Sequence, residues 1–295
     1  MKVLACVLSL LSTFSVYAFT IGAYNIRNFD YDERARIKTD KPTLANILAS
    51  LKFDVLSVEE INNTKEFENF LAATFPFLGV ELSRCGGAHG QQLGFIYNKN
   101  TVELLAFQED MRVTRPGTQG SCDGSSRPLA IGLFRIRATG QKFHGMTAHL
   151  KAGSTPDAIN TRNKQYAVLR NIILELRTKT GVPDAFLAGD LNTTEFLSRG
   201  SDFRILTDLV KSVGMVNLTQ NATCSAYWWG GSNDGIESPS LLDHVIVTPG
   251  LVRTRVTGQV HGHCQRVNCK PATPAQLGIS YQGVSDHCPV TMTIQ

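Results

Sequence analysis

Apolar positions along this chain follow two rhythms. Strand-like alternation marks FTIGAYNI (19–26) and DVLSVEE (54–60). Between them, KPTLANILASL (41–51) places Leu44, Ile47, Leu48 and Leu51 on one helical face, with Pro42 in the first turn. TKEFENFLAATF (64–75) predicts a second helix with Phe67, Phe70 and Leu71 inward. Strands are expected at LGFIYN (93–98), TVELLAF (101–107), PLAIGLFRIRA (128–138) and KFHGMTAHL (142–150), with a hairpin turn at Asn98–Asn100. A long helix over 159–179 turns Tyr166, Leu169, Ile172, Ile173 and Leu176 inward, and DAFLAGDLN (184–192) carries the next strand. SDFRILTDLVKSVG (201–214) predicts a helix with Ser201 as N-cap and Gly214 as stop; LLDHVIV and DHCPVTMTI are late strands. Loops are expected near 112–127, 229–240 and 261–284. Hairpins mixed with helices argue for two sheets packed face to face and covered outside by helices.

The first residues, MKVLACVLSLLSTFSVYAFT, set one cation before a short apolar run that ends at Ala18. That layout predicts a secretory signal over 1–18 and a single domain over 19–295, secreted or periplasmic. The alternative, a buried helix or membrane anchor, is disfavoured because the run is short and meets a strand at once. A formal charge of +4 favours anionic partners only weakly. Besides Cys6, six cysteines remain; in an exported chain they read as three disulfides, of 15 possible connectivities. The expected pairs are Cys85–Cys122, Cys224–Cys288 and Cys264–Cys269. Zinc at HGHC (261–264) lacks a second well-spaced ligand pair. Glycine-rich loops show neither phosphate-cradling spacing, so a nucleotide-dependent enzyme is not favoured.

Polar groups recur where apolar strands end. Asp190 and Asn192 close DAFLAGDLN and would share one face of an extended chain. Asn25 ends the first strand; Glu59 and Glu60 end the second, on opposite faces; His149, Asp243, Asp286 and His287 end others. Carboxylates, amides and two histidines without a serine nucleophile elbow suit phosphodiester hydrolysis. Its transition state gathers negative charge and calls for a hard divalent cation and neutral or cationic donors. Taken singly, Asn25 or Asp190 is more often a strand-end or turn residue than a catalytic one.

The motifs AYNIRNF, VEEI, SSRPLAI, TAHLKAG, AGDLN, LLDHVIV and SDHCPV, in this order, resemble the endonuclease/exonuclease/phosphatase superfamily, closest to its secreted deoxyribonuclease I-like branch. The resemblance implies a four-layer α/β/β/α sandwich with the site at one end of the paired sheets. It implies Glu60, with Asp190 or Asp286, as ligands of Mg²⁺, with Ca²⁺ or Mn²⁺ as alternatives. His287 oriented by Asp243 becomes the base, Asp190 positions water, and His149 stands at the leaving oxygen. Asn25, Asn192 and Arg127 hold the phosphate. The chain departs from the family at Gln91, where a glutamate usually steadies the second histidine, and at Glu59, where glutamine is usual. It also departs at Asn62 and Asn63, where deoxyribonuclease I has a DNA-contacting arginine after the metal glutamate.

The implied activity is a metal-dependent DNA endonuclease, with RNA as a second substrate class, acting as a monomer on nucleic acid. A lipid phosphodiesterase of the sphingomyelinase kind, a phosphomonoesterase, and a nuclease-type toxin subunit are the alternatives. Thr193 and Thr194 stand where inositol phosphatases carry an aromatic and a basic residue. Lys151, Arg162, Lys164 and Arg170 follow His149 and read as a phosphate track, although a solvated helix face explains Lys164 and Arg170 equally well. Trp228 and Trp229 read as core cover, as a base-stacking pair or as a lipid contact. His244 faces away from Asp243 and reads as packing or surface; His89, His144, His261 and His263 carry no assignment.

Overall fold

The computed structural model describes residues 18–252 and 254–295, so the expected signal segment lies outside the described residues except for Ala18. Its elements run β1 (Phe19–Asn25), β2 (Tyr31–Asp32), β3 (Ile37–Lys38), α1 (Lys41–Leu51), β4 (Val55–Ile61), α2 (Thr64–Thr74), β5 (Leu78–Leu82), β6 (Gln92–Asn98) and β7 (Val102–Asp110). They continue β8 (Leu129–Ile136), β9 (Lys142–Thr147), α3 (Pro156–Thr180), β10 (Ala185–Asp190), α4 (Ser201–Ser212), β11 (Val216–Asn217), β12 (Ala226–Trp228) and β13 (Ser238–Ser240). The last are β14 (Asp243–Val247), β15 (Val256–Val260), α5 (Gly262–Arg266), α6 (Pro274–Gly283) and β16 (Val290–Ile294).

Six strands form one sheet in the order β15-β16-β1-β4-β6-β5, and six form a second in the order β11-β14-β10-β9-β8-β7. Within these two sheets only β1–β4 and β9–β10 pair in parallel; all other neighbours are antiparallel. Phe19, Ile21 and Ala23 from β1 meet Phe143, Phe186, Ala188, Val245 and Val247 in the core between the sheets. Helices α1 and α2 cover the first sheet through Leu44, Leu48, Phe67 and Leu71. Helices α3 and α4 cover the second through Leu169, Ile172, Leu206 and Leu209. The expected α/β/β/α sandwich is what forms.

Helix starts follow the sequence. Asp40 caps α1 by accepting from Thr43 N, and Thr155 caps α3 by accepting from Ala158 N. At α4 the N-cap is Gly200, and Ser201 is already the first helical residue. The segment 261–284, expected as a loop, contains α5 and α6. Thr273 and Gln276 close a reciprocal capping box at the start of α6, a signal the Gly- and Pro-rich composition hid.

Two of the three expected disulfides pair differently. Cys85–Cys122 is as expected, but the others are Cys224–Cys269 and Cys264–Cys288. The short spacing from Cys264 to Cys269 suggested a local loop, whereas α5 carries Cys264 toward Cys288 and leaves Cys269 facing Cys224. Both bridges belong to one small apolar corner with Tyr227 and Leu277. Cys264 is thereby consumed, which removes it from any zinc site at HGHC.

Candidate active site

The inter-sheet face of each central strand is apolar along most of its length and polar at one end. On β1 the run Phe19, Ile21, Ala23 reaches Asn25; on β10 Phe186 and Ala188 reach Asp190; on β14 Val247 and Val245 reach Asp243. Register then sets neighbours, because Asp190 lies opposite Asp243 and Asn25 beside Glu59. His149 follows the end of β9 and His287 precedes β16. The apolar run anchors each strand at about 1.5–3 kcal/mol per buried large side chain, while the polar ends gather at one rim of the core.

Asn25 is a hub. Its Nδ2 donates to Glu60 Oε1 at 3.0 Å and to Asp190 Oδ2 at 3.1 Å, and its Oδ1 accepts from Arg27 N at 2.9 Å. His149 Nε2 faces the same two carboxylate oxygens, 3.7 Å from Glu60 and 3.3 Å from Asp190. Asn192 N donates to Asp190 Oδ1 at 2.9 Å and its Nδ2 donates to Leu150 O at 3.1 Å, locking the segment after His149 to that after Asp190. Asn192 has φ +52°, in the left-handed region that asparagine tolerates better than most residues.

His287 Nδ1 lies 2.8 Å from Asp243 Oδ2, which also accepts from Ser225 Oγ at 2.7 Å. The Ser225 hydroxyl in turn accepts from Leu242 N and Asp243 N. His287 Nε2 is then aimed at Asp190 Oδ2, 3.6 Å away. Asp190, Asp243 and His287 bring their ligand atoms within 4.8 Å of one another. Glu60 and Asp286 stand outside that tight group, although Asp286 lies close enough to raise Glu60.

Both glutamates of β4 address the site. The ladder shifts register between Val58 and Ile61, and Glu60 has φ +62°, which swings its carboxylate to the rim beside its neighbour. Glu59 is fully buried beneath, with Oε1 accepting from Thr147 Oγ1 at 2.7 Å. Simple alternation put these two on opposite faces; the bulge overrides it. Gly189 explains one further motif position: with φ +136°, a Cβ there would meet Ala148 O at 2.5 Å and Glu59 Oε1 at 2.6 Å.

Burial lifts the Glu59 carboxyl well above its ordinary range, outweighing the Thr147 hydrogen bond that opposes it. In its protonated form it would offer one donor and one acceptor, the capability of the amide usual at this place. Burial also raises Glu60, and the Asp286 charge adds to the effect. Asp190 rises to about 7 through burial, against the pull of His287 and with help from Asp243. His149 is held well below its ordinary range by burial and then by Arg127 and His287. Burial alone would lower His287 as well, but Asp243 and Asp190 carry it well above the ordinary histidine range. Burial lowers Arg127, whose charge Glu60, Asp190 and Glu59 partly sustain.

These groups fit a hard divalent cation. Buried carboxyl groups raised by one another are a charge arrangement that a cation relieves. Asp243 Oδ1 and Glu59 Oε2 are buried without a protein partner, as are His149 Nδ1 and Arg127 Nε. Glu60 and Asp190 are the oxygen donors at the rim, with Asp286 beside them.

Two expectations fail here. Gln91 does not steady His149; its Nε2 donates to Asn28 Oδ1 at 2.7 Å, in the wall of a cavity of about 840 Å³ next to Glu60. Arg162 belongs to no phosphate track, because it is wholly buried against Asp202. His244 packs, as one of its two readings had it, with Phe196 and a hydroxyl–amide network. Sequence reasoning missed Ser225 and Ser285. Ser285 Oγ donates to Asn25 O at 2.7 Å and accepts from His287 N at 3.0 Å, tying the first strand to His287. Its position inside SDHCPV was the available signal; Ser225 offered none beyond its neighbour Cys224.

A sequence profile described as the Endonuclease/Exonuclease/phosphatase family matches residues 22–287. No curated protein sequence matches. Among solved structures, an endonuclease/exonuclease/phosphatase family protein from Bacteroides thetaiotaomicron is 17% identical, with 95% of this chain and 96% of that chain covered at a TM-score of 0.64. A mannosyl-6-phosphatase of the same species is 18% identical, with 94% and 100% covered at 0.63. D. rerio TDP2 complexed with a single-strand DNA product is 18% identical, with 94% and 98% covered at 0.61.

Proposed function

The chain belongs to the endonuclease/exonuclease/phosphatase family, and from that premise we propose that it is an exported endonuclease. In this reading it cuts DNA, and RNA as a second substrate, as a monomer with Mg²⁺ as its cation. Family members are hydrolases of phosphodiesters or phosphate esters and generally use divalent metal ions. The observation that carries the hydrolytic reading is the His287–Asp243 pair at 2.8 Å with Nε2 aimed into the carboxylate cluster.

Glu60 and Asp190 would hold the cation, with Asp286 in support. When bound, the cation supplies Lewis-acid neutralisation of a non-bridging phosphate oxygen. His287 Nε2, in the unprotonated form that the neighbouring Asp243 and Asp190 charges confine to higher pH, takes a proton from the attacking water while Asp243 steadies the imidazolium through Nδ1. The water oxygen bonds to phosphorus and the P–O bond to the departing oxygen breaks with its electron pair. His149, kept neutral, serves there as a hydrogen-bond donor rather than as an acid, and the departing oxygen takes its proton from solvent. Asn25, Asn192 and Arg127 hold the charge that develops on the phosphate.

Three disulfides among the described residues support action outside the reducing cytoplasm. The nucleic-acid reading is supported by the structural likeness to a protein solved with DNA. Nicking of supercoiled plasmid with and without chelator, run beside sphingomyelin and phosphomonoester hydrolysis, tests it. Chelator-sensitive nicking is expected; turnover of lipid or monoester without nicking would reverse the assignment.

A further inference from the structure

The tryptophan pair stands on the strand that braces the base. Ala226 forms an antiparallel bridge with His287; Tyr227 N donates to Asp286 O at 2.9 Å and Cys288 N to Ser225 O at 2.7 Å. That bonding makes Ala226 and His287 a non-hydrogen-bonded pair, the kind whose side chains lie closest and on one face. Alternation turns Tyr227 to the other face, where it is buried in the disulfide corner and donates to Lys270 O at 2.8 Å. Trp228 therefore shares its face with Ala226, and through it with His287, about 7 Å farther along the strand.

Unlike its neighbours, Trp228 is 43% exposed and Trp229 56%. The rings meet edge to face at 6.4 Å and 80°, so the second indole supports the first and leaves it uncovered. Gly230 and Gly231, with φ +68° and +84°, turn the chain away immediately after them. The turn that follows, 230–240, contains Asp234 and Glu237 and no lysine or arginine. That tip repels nucleic-acid phosphates and anionic headgroups alike, so discrimination falls to the indole face itself. A flat aromatic face one nucleotide's reach from a phosphate-cleaving centre fits a base, because every base has a π-face and stacking tolerates any sequence.

Resting on the nuclease reading above, we infer that Trp228, supported by Trp229, is a stacking platform for an unpaired nucleobase adjacent to the scissile phosphate. Bases inside a continuous duplex are already stacked on their neighbours and cannot lie on it. The enzyme therefore favours single strands, gaps and frayed ends over intact duplex.

The test measures cleavage of a single-stranded oligonucleotide, the same oligonucleotide with one abasic position beside the cut, and a small phosphodiester without a base, methyl p-nitrophenyl phosphate. Trp228→Ala should raise KM on the single strand roughly 5- to 150-fold, the scale of one base–aromatic stack, and leave the small phosphodiester unchanged. Trp228→Phe should restore most of the loss. The abasic oligonucleotide should be a poor substrate for the wild type by a similar factor and be indifferent to Trp228→Ala. Equal KM for wild type and Trp228→Ala on the single strand would overturn the platform while leaving the nuclease intact. Loss of binding to sphingomyelin–phosphatidylcholine vesicles on Trp228→Ala, with unchanged oligonucleotide cleavage, would overturn it in favour of a lipid contact. No cleavage of any oligonucleotide by the wild type would instead sink the nuclease reading itself.

Discussion

Arg162 and Asp202 are both fully buried and joined by two hydrogen bonds, Nε to Oδ1 at 2.9 Å and Nη2 to Oδ2 at 2.7 Å. The remaining guanidinium donors reach Lys151 O, Gly153 O and Thr194 Oγ1. One side chain thus holds the segment that follows His149 and the segment that follows Asn192. Fork geometry suits this use, because five fixed donors meet five acceptors without loss.

Arg162→Met should destabilise the protein by about 3–5 kcal/mol, since it leaves the Asp202 carboxylate buried and unpaired. Urea denaturation reads the loss, and Arg162→Met with Asp202→Leu should recover part of it. If Arg162→Met alone unfolds at the wild-type urea midpoint, the clamp carries no weight.

Ser225→Ala removes a donor to the carboxylate that orients His287. Hydrogen bonds to charged groups contribute about 1.5–3 kcal/mol, so kcat should fall about 10- to 150-fold with KM nearly unchanged. His287→Ala should cost about 10²–10⁴-fold, the scale of acid–base catalysis. Steady-state kinetics on one substrate compares the two, and a larger loss for Ser225→Ala than for His287→Ala would contradict the proposed roles.

His244 supplies a pH dependence of stability. The Thr193 hydroxyl donates to Leu241 O, so it must accept from His244 Nε2–H, and Nδ1 is left to accept from Asn217 Nδ2. Burial holds this neutral ring's pKa down at about 4. Above the ordinary histidine value of about 6.5 both folded and unfolded forms are neutral. As pH falls toward 4, the unfolded chain takes up a proton that the folded one refuses, so stability drops by about 3 kcal/mol. Urea midpoints at pH 7.5 and 4.5 should differ less for His244→Gln than for wild type; identical differences would remove His244 from the account.

Cys224 adjoins Ser225 and Cys288 adjoins His287 in the chain, whereas neither Cys85 nor Cys122 adjoins either residue. Replacing Cys264 and Cys288 by serine should therefore lower kcat as well as stability, by about 2–5 kcal/mol for the latter. The Cys85–Cys122 deletion should lower stability alone. Thermal melts and kcat at saturating substrate distinguish them.

The layers and most of the site were legible because they rest on short-range periodicity. Alternation along FTIGAYN and AFLAGD already says which residues face the inter-sheet core, and Asn25 and Asp190 are simply the next ones on that face. What was illegible depends on events that no local pattern records. A bulge at Glu60 put two successive carboxylates on one side, and the path of α5 chose the partner of Cys264. Arg162 reads as part of a phosphate track until α4 is seen to carry Asp202 beneath it. Ser225 acquires its role only when β12 is laid against the segment at His287.

The first strand of the described chain is flanked by the fourth and by the last, and Ser285 is bonded to Asn25 across 260 residues. During synthesis the amino-terminal sheet therefore waits for residues 290–294 before its centre closes, and His287 arrives with that same segment. A truncated or stalled chain can collapse around its helices yet lacks the His287–Asp243 pair. Formation of that pair therefore reports a sheet already closed at its centre.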